Sequence, residues 1–144
     1  MKQISENFTL GECNVSDKHP EMIGTIPTTA QKRIESLVKN LLQPICDATG
    51  WHDHINSGYR NYKLNEAVGG ATTSQHTLGE AADNVFLQNG NPVPTIEVMK
   101  VVIRENLSFD QMIAYPTFVH LSYKDKIRNR KQILYNKSYT GKRL

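Results

Sequence analysis

Apolar residues recur at spacings of three and four between Thr28 and Gly50. Ile34, Leu37, Val38, Leu41, Leu42 and Ile45 fall on one face, which predicts a long helix buried along that side. Thr28, with Gln31 three residues on, fits its N-cap; Pro44 predicts a kink or an early end, and Gly50 a stop. A second amphipathic helix is predicted from a Thr95 cap, bearing Ile96, Met99, Val102 and Ile103. A brief helix is predicted from Asn61 to Val68, ended by Gly69-Gly70. Ahead of all these, Thr9 and Glu12 fit a capping box, and 16–29, with Pro20, Gly24 and Pro27, reads as a loop.

Elsewhere the period shortens towards two. His52 to Asn56 and Ala82 to Leu87 read as strands, and Asn89-Gly90-Asn91-Pro92 as a turn. Three more strand-like pieces close the chain: Phe109 to Ala114, Phe118 to Tyr123 and Gln132 to Tyr135. Helices come early and strands cluster late, which predicts an α+β domain with a mostly antiparallel sheet.

Composition adds limits. At 144 residues the chain is expected to be one domain, 1–144, and 38% hydrophobic content is too high for a disordered chain. No apolar run approaches the ~20 residues of a membrane span. Residues 1–7 carry no apolar stretch of a secretory signal, so the expected site of synthesis is a cytoplasm, unless another route releases the protein. Cys13 and Cys46 form no CxxC pair; buried reduced thiols are expected, with a disulfide left open. The net charge of +3 is uneven: 124–144 holds eight Lys or Arg against Asp125 alone, so that strand and tail carry +7 and 1–123 carry −4. Such an end is either a solvated tail or a contact for an anionic polymer. No recognition motif accompanies it, so nucleic acid is not expected.

The chemistry lies in Ser74-Gln75-His76-Thr77-Leu78-Gly79-Glu80-Ala81-Ala82-Asp83 and in His120, within Phe118-Val119-His120-Leu121-Ser122. Two imidazoles and a carboxylate are what an open zinc site takes from its protein, the fourth position staying free for water. A strand sets Ala81 and Asp83 on one face and His120 and Ser122 on another shared face. Gly79 allows a tight turn that brings His76 beside Asp83. These donors suit zinc better than calcium or copper, with other divalent ions left open. His52-x-His54 alternates as a second pair but has no third ligand beside it; one of them could line a cleft and move protons.

The order Ser57-Gly58-Tyr59-Arg60, Leu64-Asn65, Val68-Gly69-Gly70, Ser74-x-His76-x-x-Gly79-x-Ala81-x-Asp83, Phe109-Asp110-Gln111 and Phe118-Val119-His120-Leu121-Ser122-Tyr123 closely resembles the zinc D-alanyl-D-alanine carboxypeptidases and the phage-type murein peptidases. The resemblance runs from about Asn7 to Leu134. It implies a hedgehog-like fold, a small antiparallel sheet with helices packed on one side. It also implies that His76, Asp83 and His120 ligate Zn2+. Arg60 would then point into the cleft and stabilise the oxyanion, as a fixed guanidinium can, or else form a structural salt bridge. Ser74 is read as a substrate-binding or metal-side hydrogen-bonding residue, or as a loop cap. Tyr59 is read as substrate-binding against packing, and Asn65 as a turn residue. The implied function is hydrolysis of a peptidoglycan stem-peptide or crosslink bond next to a D-amino acid by a phage or prophage lytic enzyme. A carboxypeptidase and an endopeptidase both fit.

The chain departs from that pattern where the water needs a base. Many relatives carry a carboxylate three residues before the last histidine, where Thr117 stands here. Phage-type relatives often carry Glu a little after the Phe-Asp-Gln segment, where Ala114 and Tyr115 stand, and Phe118 replaces a usual Trp. Three explanations follow: Glu80 or Asp110 serves as the general base, zinc alone acidifies the water, or the protein is a non-catalytic wall-binding or virion structural protein.

Overall fold

Pro44 does not end the long helix. In a computed structural model, which describes residues 2–144, the chain stays helical from α1 (Thr28–Leu37) through a π-helical turn (Val38–Leu42) into α2 (Gln43–Thr49). Pro44 lacks an N–H, and in an ordinary helix its ring would press on the carbonyl of Asn40; a wider turn ahead of it relieves both demands. The turn is also held from outside. The N-terminal hairpin, β1 (Gln3–Ser5) and β2 (Phe8–Thr9), sends the Ser5 hydroxyl and the Asn7 amide to the side-chain oxygen of Gln43. Gly50 then closes the helix at φ +73°, its N–H donating to Cys46 at 2.7 Å.

The two predicted threonine caps are replaced. Pro27 and Pro94 occupy the N-cap positions, and Thr28 and Thr95 are the first helical residues. Gln31 instead donates to the carbonyl of Ile26, and the Thr95 hydroxyl donates across to the carbonyls of Tyr115 and Phe118. The Thr9–Glu12 box forms as expected, with Thr9 N–H on the Glu12 carboxylate at 3.0 Å and the reciprocal bond at 3.3 Å.

A six-stranded sheet carries the site. It comprises β3 (His52–Ser57), β4 (Ala81–Gln88), β5 (Asn91–Pro92), β6 (Gln111–Ala114), β7 (Val119–Ser122) and β8 (Gln132–Tyr135), in the order β3-β4-β7-β6-β8 with β5 beside β4. Asn89 and Gly90 turn β4 into β5 with positive φ at both positions. All pairings are antiparallel except β6–β8. The exception has a cause: fully buried Asp110 accepts from the backbone N–H and the guanidinium of Arg130. That anchor starts β8 beside the beginning of β6 and makes the two run the same way.

One sheet face is the core. Ala82, Phe86, Met112, Ala114, Val119 and Leu121 pack against Leu41, Leu42 and Ile45 of the long helix and against Met99 and Val102 of α4 (Thr95–Arg104), the helix that follows the short α3 (Tyr62–Ala67). Each large side chain buried there is worth roughly 1.5–3 kcal/mol. The architecture is the expected α+β sheet with helices against it. Among the described residues no helix is long and apolar enough to cross a membrane.

Candidate functional site

Strand register assembles the opposite face. Asp83 pairs with His120, and His120 pairs with Ile113. Directly paired residues point the same way, and so do neighbours two apart. Asp83, His120, Ile113, Gln111, Tyr115 and Phe118 therefore line one cleft of about 700 Å3. His76 arrives from a short 3-10 turn (Gln75–Leu78), which Gly79 ends at φ +81°. A Cβ on Gly79 would lie 2.6 Å from the Ala30 carbonyl oxygen, so this turn sits directly on α1 only because Gly79 has none.

The three predicted ligands meet. His76 Nε2 is 3.4 Å and His120 Nδ1 2.9 Å from Asp83 Oδ1, and one donor atom from each residue falls within 4.8 Å of the others. Tetrahedral ligands at the usual ~2.0–2.1 Å from zinc would stand about 3.3 Å apart. Chemistry and spacing thus fit a small divalent ion, which His76, Asp83 and His120 would hold at this cleft. The other nitrogen of His76, Nδ1, lies 2.8 Å from the carbonyl oxygen of Gly58, which orients the ring and frees Nε2. Burial lowers the pKa of His76, against the attraction of Asp83, and so favours the neutral ring that a metal requires. Burial alone would raise Asp83, but its contacts with the two imidazoles outweigh this and hold it below the usual carboxylate range.

Arg60 stands beside the cluster, Nη2 3.6 Å from Asp83 Oδ2. A β-bulge between Ile55 and Ser57 brings Ser57 opposite Asp83, and Ser57 Oγ accepts from Arg60 Nε at 3.1 Å. Asn65 Oδ1 accepts from Arg60 Nη1 at 3.3 Å, while Asn65 Nδ2 donates to the Ala71 carbonyl. Gly70 leaves the room for this: a Cβ there would fall 2.1 Å from Asn65 Oδ1. Asn65 is therefore not the expected turn residue: it lies inside the short helix Tyr62–Ala67 and holds Arg60, a role invisible without the fold. Burial lowers the pKa of Arg60, and Asp83 beside it favours the cation.

Other sequence expectations fall differently. Ser74 lines the cleft and also caps the His76 turn, its Oγ accepting from His76 N–H at 3.3 Å. Tyr59 packs against the core and lines a separate groove with Ala30 and Leu78, not the cleft. Glu80 is buried beside Arg33 and Gln75, and Asp110 is enclosed by Arg130, Gln75 and Lys124; neither lines the cleft. Burial would raise Asp110, but the Arg130 hydrogen bonds and charge leave it lowered. His54 pairs with Asp17 at 3.1 Å, and neither His52 nor His54 reaches the cleft. Thr117 is exposed in the β6–β7 turn, and Ala114 lies on the core face. Cys13 and Cys46 are buried free thiols.

Tyr115 is the residue that sequence reasoning left without a role. Its ring stacks on Phe118 at 4.4 Å between centroids, inside the cleft. Its pKa is raised, first by burial and then by Asp83, so its hydroxyl keeps its proton. The period of two from Ile113 was the available signal.

A His–Asp–His cluster on the floor of an open cleft, on a small α+β fold, is the donor arrangement of a metallohydrolase. The family model for Peptidase M15 matches residues 7–122, and the chain belongs to that family of zinc peptidases. No curated protein matches the chain.

Proposed function

We propose that this protein is a zinc-dependent peptidase of bacterial peptidoglycan, hydrolysing a stem-peptide or crosslink bond next to a D-amino acid in phage- or prophage-driven lysis. The observation that carries the reading is the cluster of His76 Nε2, Asp83 Oδ1 and His120 Nδ1, with the Arg60 guanidinium fixed beside it. Zinc would supply Lewis acidity at the amide carbonyl and lower the pKa of a water. Arg60, clamped by Ser57, Asn65 and Asp83, faces the charge that develops on the carbonyl oxygen. Tyr115 keeps a hydroxyl proton to donate at the same cleft. Ser74 acts through His76 by capping its turn.

Among the described residues, Asp83 is the only carboxylate lining this cleft, and Glu80 and Asp110 are tied to other partners. Water attack is therefore proposed to proceed without a dedicated carboxylate base. The same observation supports a second reading, a zinc-containing wall-binding or virion protein that does not cut. The exposed Lys and Arg of 124–144 would hold an anionic wall polymer in either case, and delivery to the wall would follow host lysis or carriage on a virion.

Digestion of purified murein, with fragments read by mass spectrometry with and without a chelator, tests the proposal. Chelator-sensitive new peptide ends are the expected result. Unchanged murein with zinc bound, together with retained binding to sacculi, would establish the second reading instead.

A further inference from the structure

The metal-ligand cluster does not sit at the closed end of a pocket. A second cavity of about 310 Å3 adjoins the main cleft, and Lys18, Arg60, Val68, Asp83 and Phe118 line both. Ser16, Asp17, Asn56, Ser57 and Thr117 line it alone. The smaller cavity has the volume of about ten waters at ~30 Å3 each, more than a terminal alanine would fill. The main cleft runs the other way, past His76 and His120 towards Gly70 and Thr73. A chain laid across the Arg60–Asp83 pair therefore finds room on both sides.

The charges agree with this shape. A cation held against the end wall is a common way for a site to take a terminal carboxylate. Arg130 is already bound by Asp110, and Arg60 stands beside the ligand cluster, between the two cavities rather than at an end wall. Lys18 is exposed at the junction of the two cavities rather than at the far wall. Resting on the peptidase reading above, we infer that the substrate is the interior of a peptide, with residues bound on both sides of the scissile amide. The reaction is then an endopeptidase cleavage: the amide C–N bond breaks, and water supplies a hydroxyl to the carbonyl carbon and a proton to the departing amine.

The test uses a cross-linked pair of stem peptides, prepared as the free acid and as the C-terminal amide, with the zinc-loaded protein and its T117W variant. Thr117 is an exposed turn residue that lines only the smaller cavity, so the variant folds and fills that arm. Expected are internal cleavage of acid and amide at rates within about threefold, and a loss of tenfold or more in T117W with unchanged zinc affinity. Release of a single terminal residue from the free acid alone, unaffected by T117W, would overturn the inference while leaving the peptidase reading intact. If neither peptide is cut, the peptidase reading fails, and amide NMR shifts of the zinc-free protein titrated with the uncut peptide still decide. Shifts at Asn56 and Thr117 as well as at Gly70 and Thr73 uphold a two-sided groove; shifts on one side alone overturn it.

Discussion

His76 Nδ1 lies 2.8 Å from the carbonyl oxygen of Gly58, eighteen residues earlier, and this contact aims the opposite ring nitrogen at Asp83. Gly58 can hold that carbonyl in place because it has no side chain: a Cβ there would lie 2.1 Å from the Cys13 carbonyl oxygen. Gly58→Ala must move backbone. It is expected to weaken zinc binding by about 10–100-fold, the usual cost of losing a metal ligand's outer partner. Competition titration against a chromogenic chelator measures this.

Asp83 contacts both imidazoles and Arg60, so Asp83→Asn removes the only anionic donor of the cluster. Zinc occupancy by elemental analysis is expected to fall to background at equimolar metal. In the native chain, metal at 100-fold over its Kd raises the stability by about 2.7 kcal/mol. The variant is expected to show no zinc-dependent rise in Tm.

Asn65 touches Arg60 and not the cluster. Arg60→Ala is expected to lower kcat/KM by about 10²–10³, the cost of losing an oxyanion donor. Asn65→Ala is expected to cost about tenfold, near the ~1–3 kcal/mol of an unmade buried bond. In both, zinc affinity by titration stays within about twofold, which separates positioning of the guanidinium from damage to the metal site.

Asp53 is buried with neither carboxylate oxygen hydrogen-bonded, and burial raises its pKa well above the usual carboxylate value. The folded state then holds a proton that the unfolded state has released. This contribution to stability falls as pH rises from about 3.9 through the raised value. Asp53→Asn is expected to gain stability over the native chain progressively between pH 4 and pH 8. Urea midpoints at those two pH values check the sign.

Arg130 has the opposite linkage through Asp110, whose pKa is lowered. That stability is present above about 3.9 and is lost as pH falls through the lowered folded value. Arg130→Ala removes the two guanidinium hydrogen bonds but leaves Asp110 its contacts with Gln75, Lys124 and the residue-130 N–H, and is expected to cost about 1–3 kcal/mol at neutral pH. It should also loosen β8, seen as faster hydrogen exchange at Gln132 to Tyr135.

The α+β class, the buried helical face and the His76, Asp83, His120 set were legible in the sequence, because apolar spacing and donor chemistry are local properties of residue order. The caps differ from the sequence expectation because a proline stands just ahead of each threonine and takes the N-cap position, leaving Thr28 and Thr95 as the first helical residues. The passage of the long helix through Pro44 rests on a π-helical turn that the N-terminal hairpin grips from outside. Asn65 behind Arg60, the engagement of Glu80 and Asp110, and the turning of Tyr115 into the cleft depend on contacts between segments distant in the chain. Residue order by itself determined which donors the protein has. The tertiary structure decided which of them face one another, since strand register and bulges set direction, and side-chain direction decides whether a carboxylate meets two imidazoles, as Asp83 does, or an arginine, as Asp110 does.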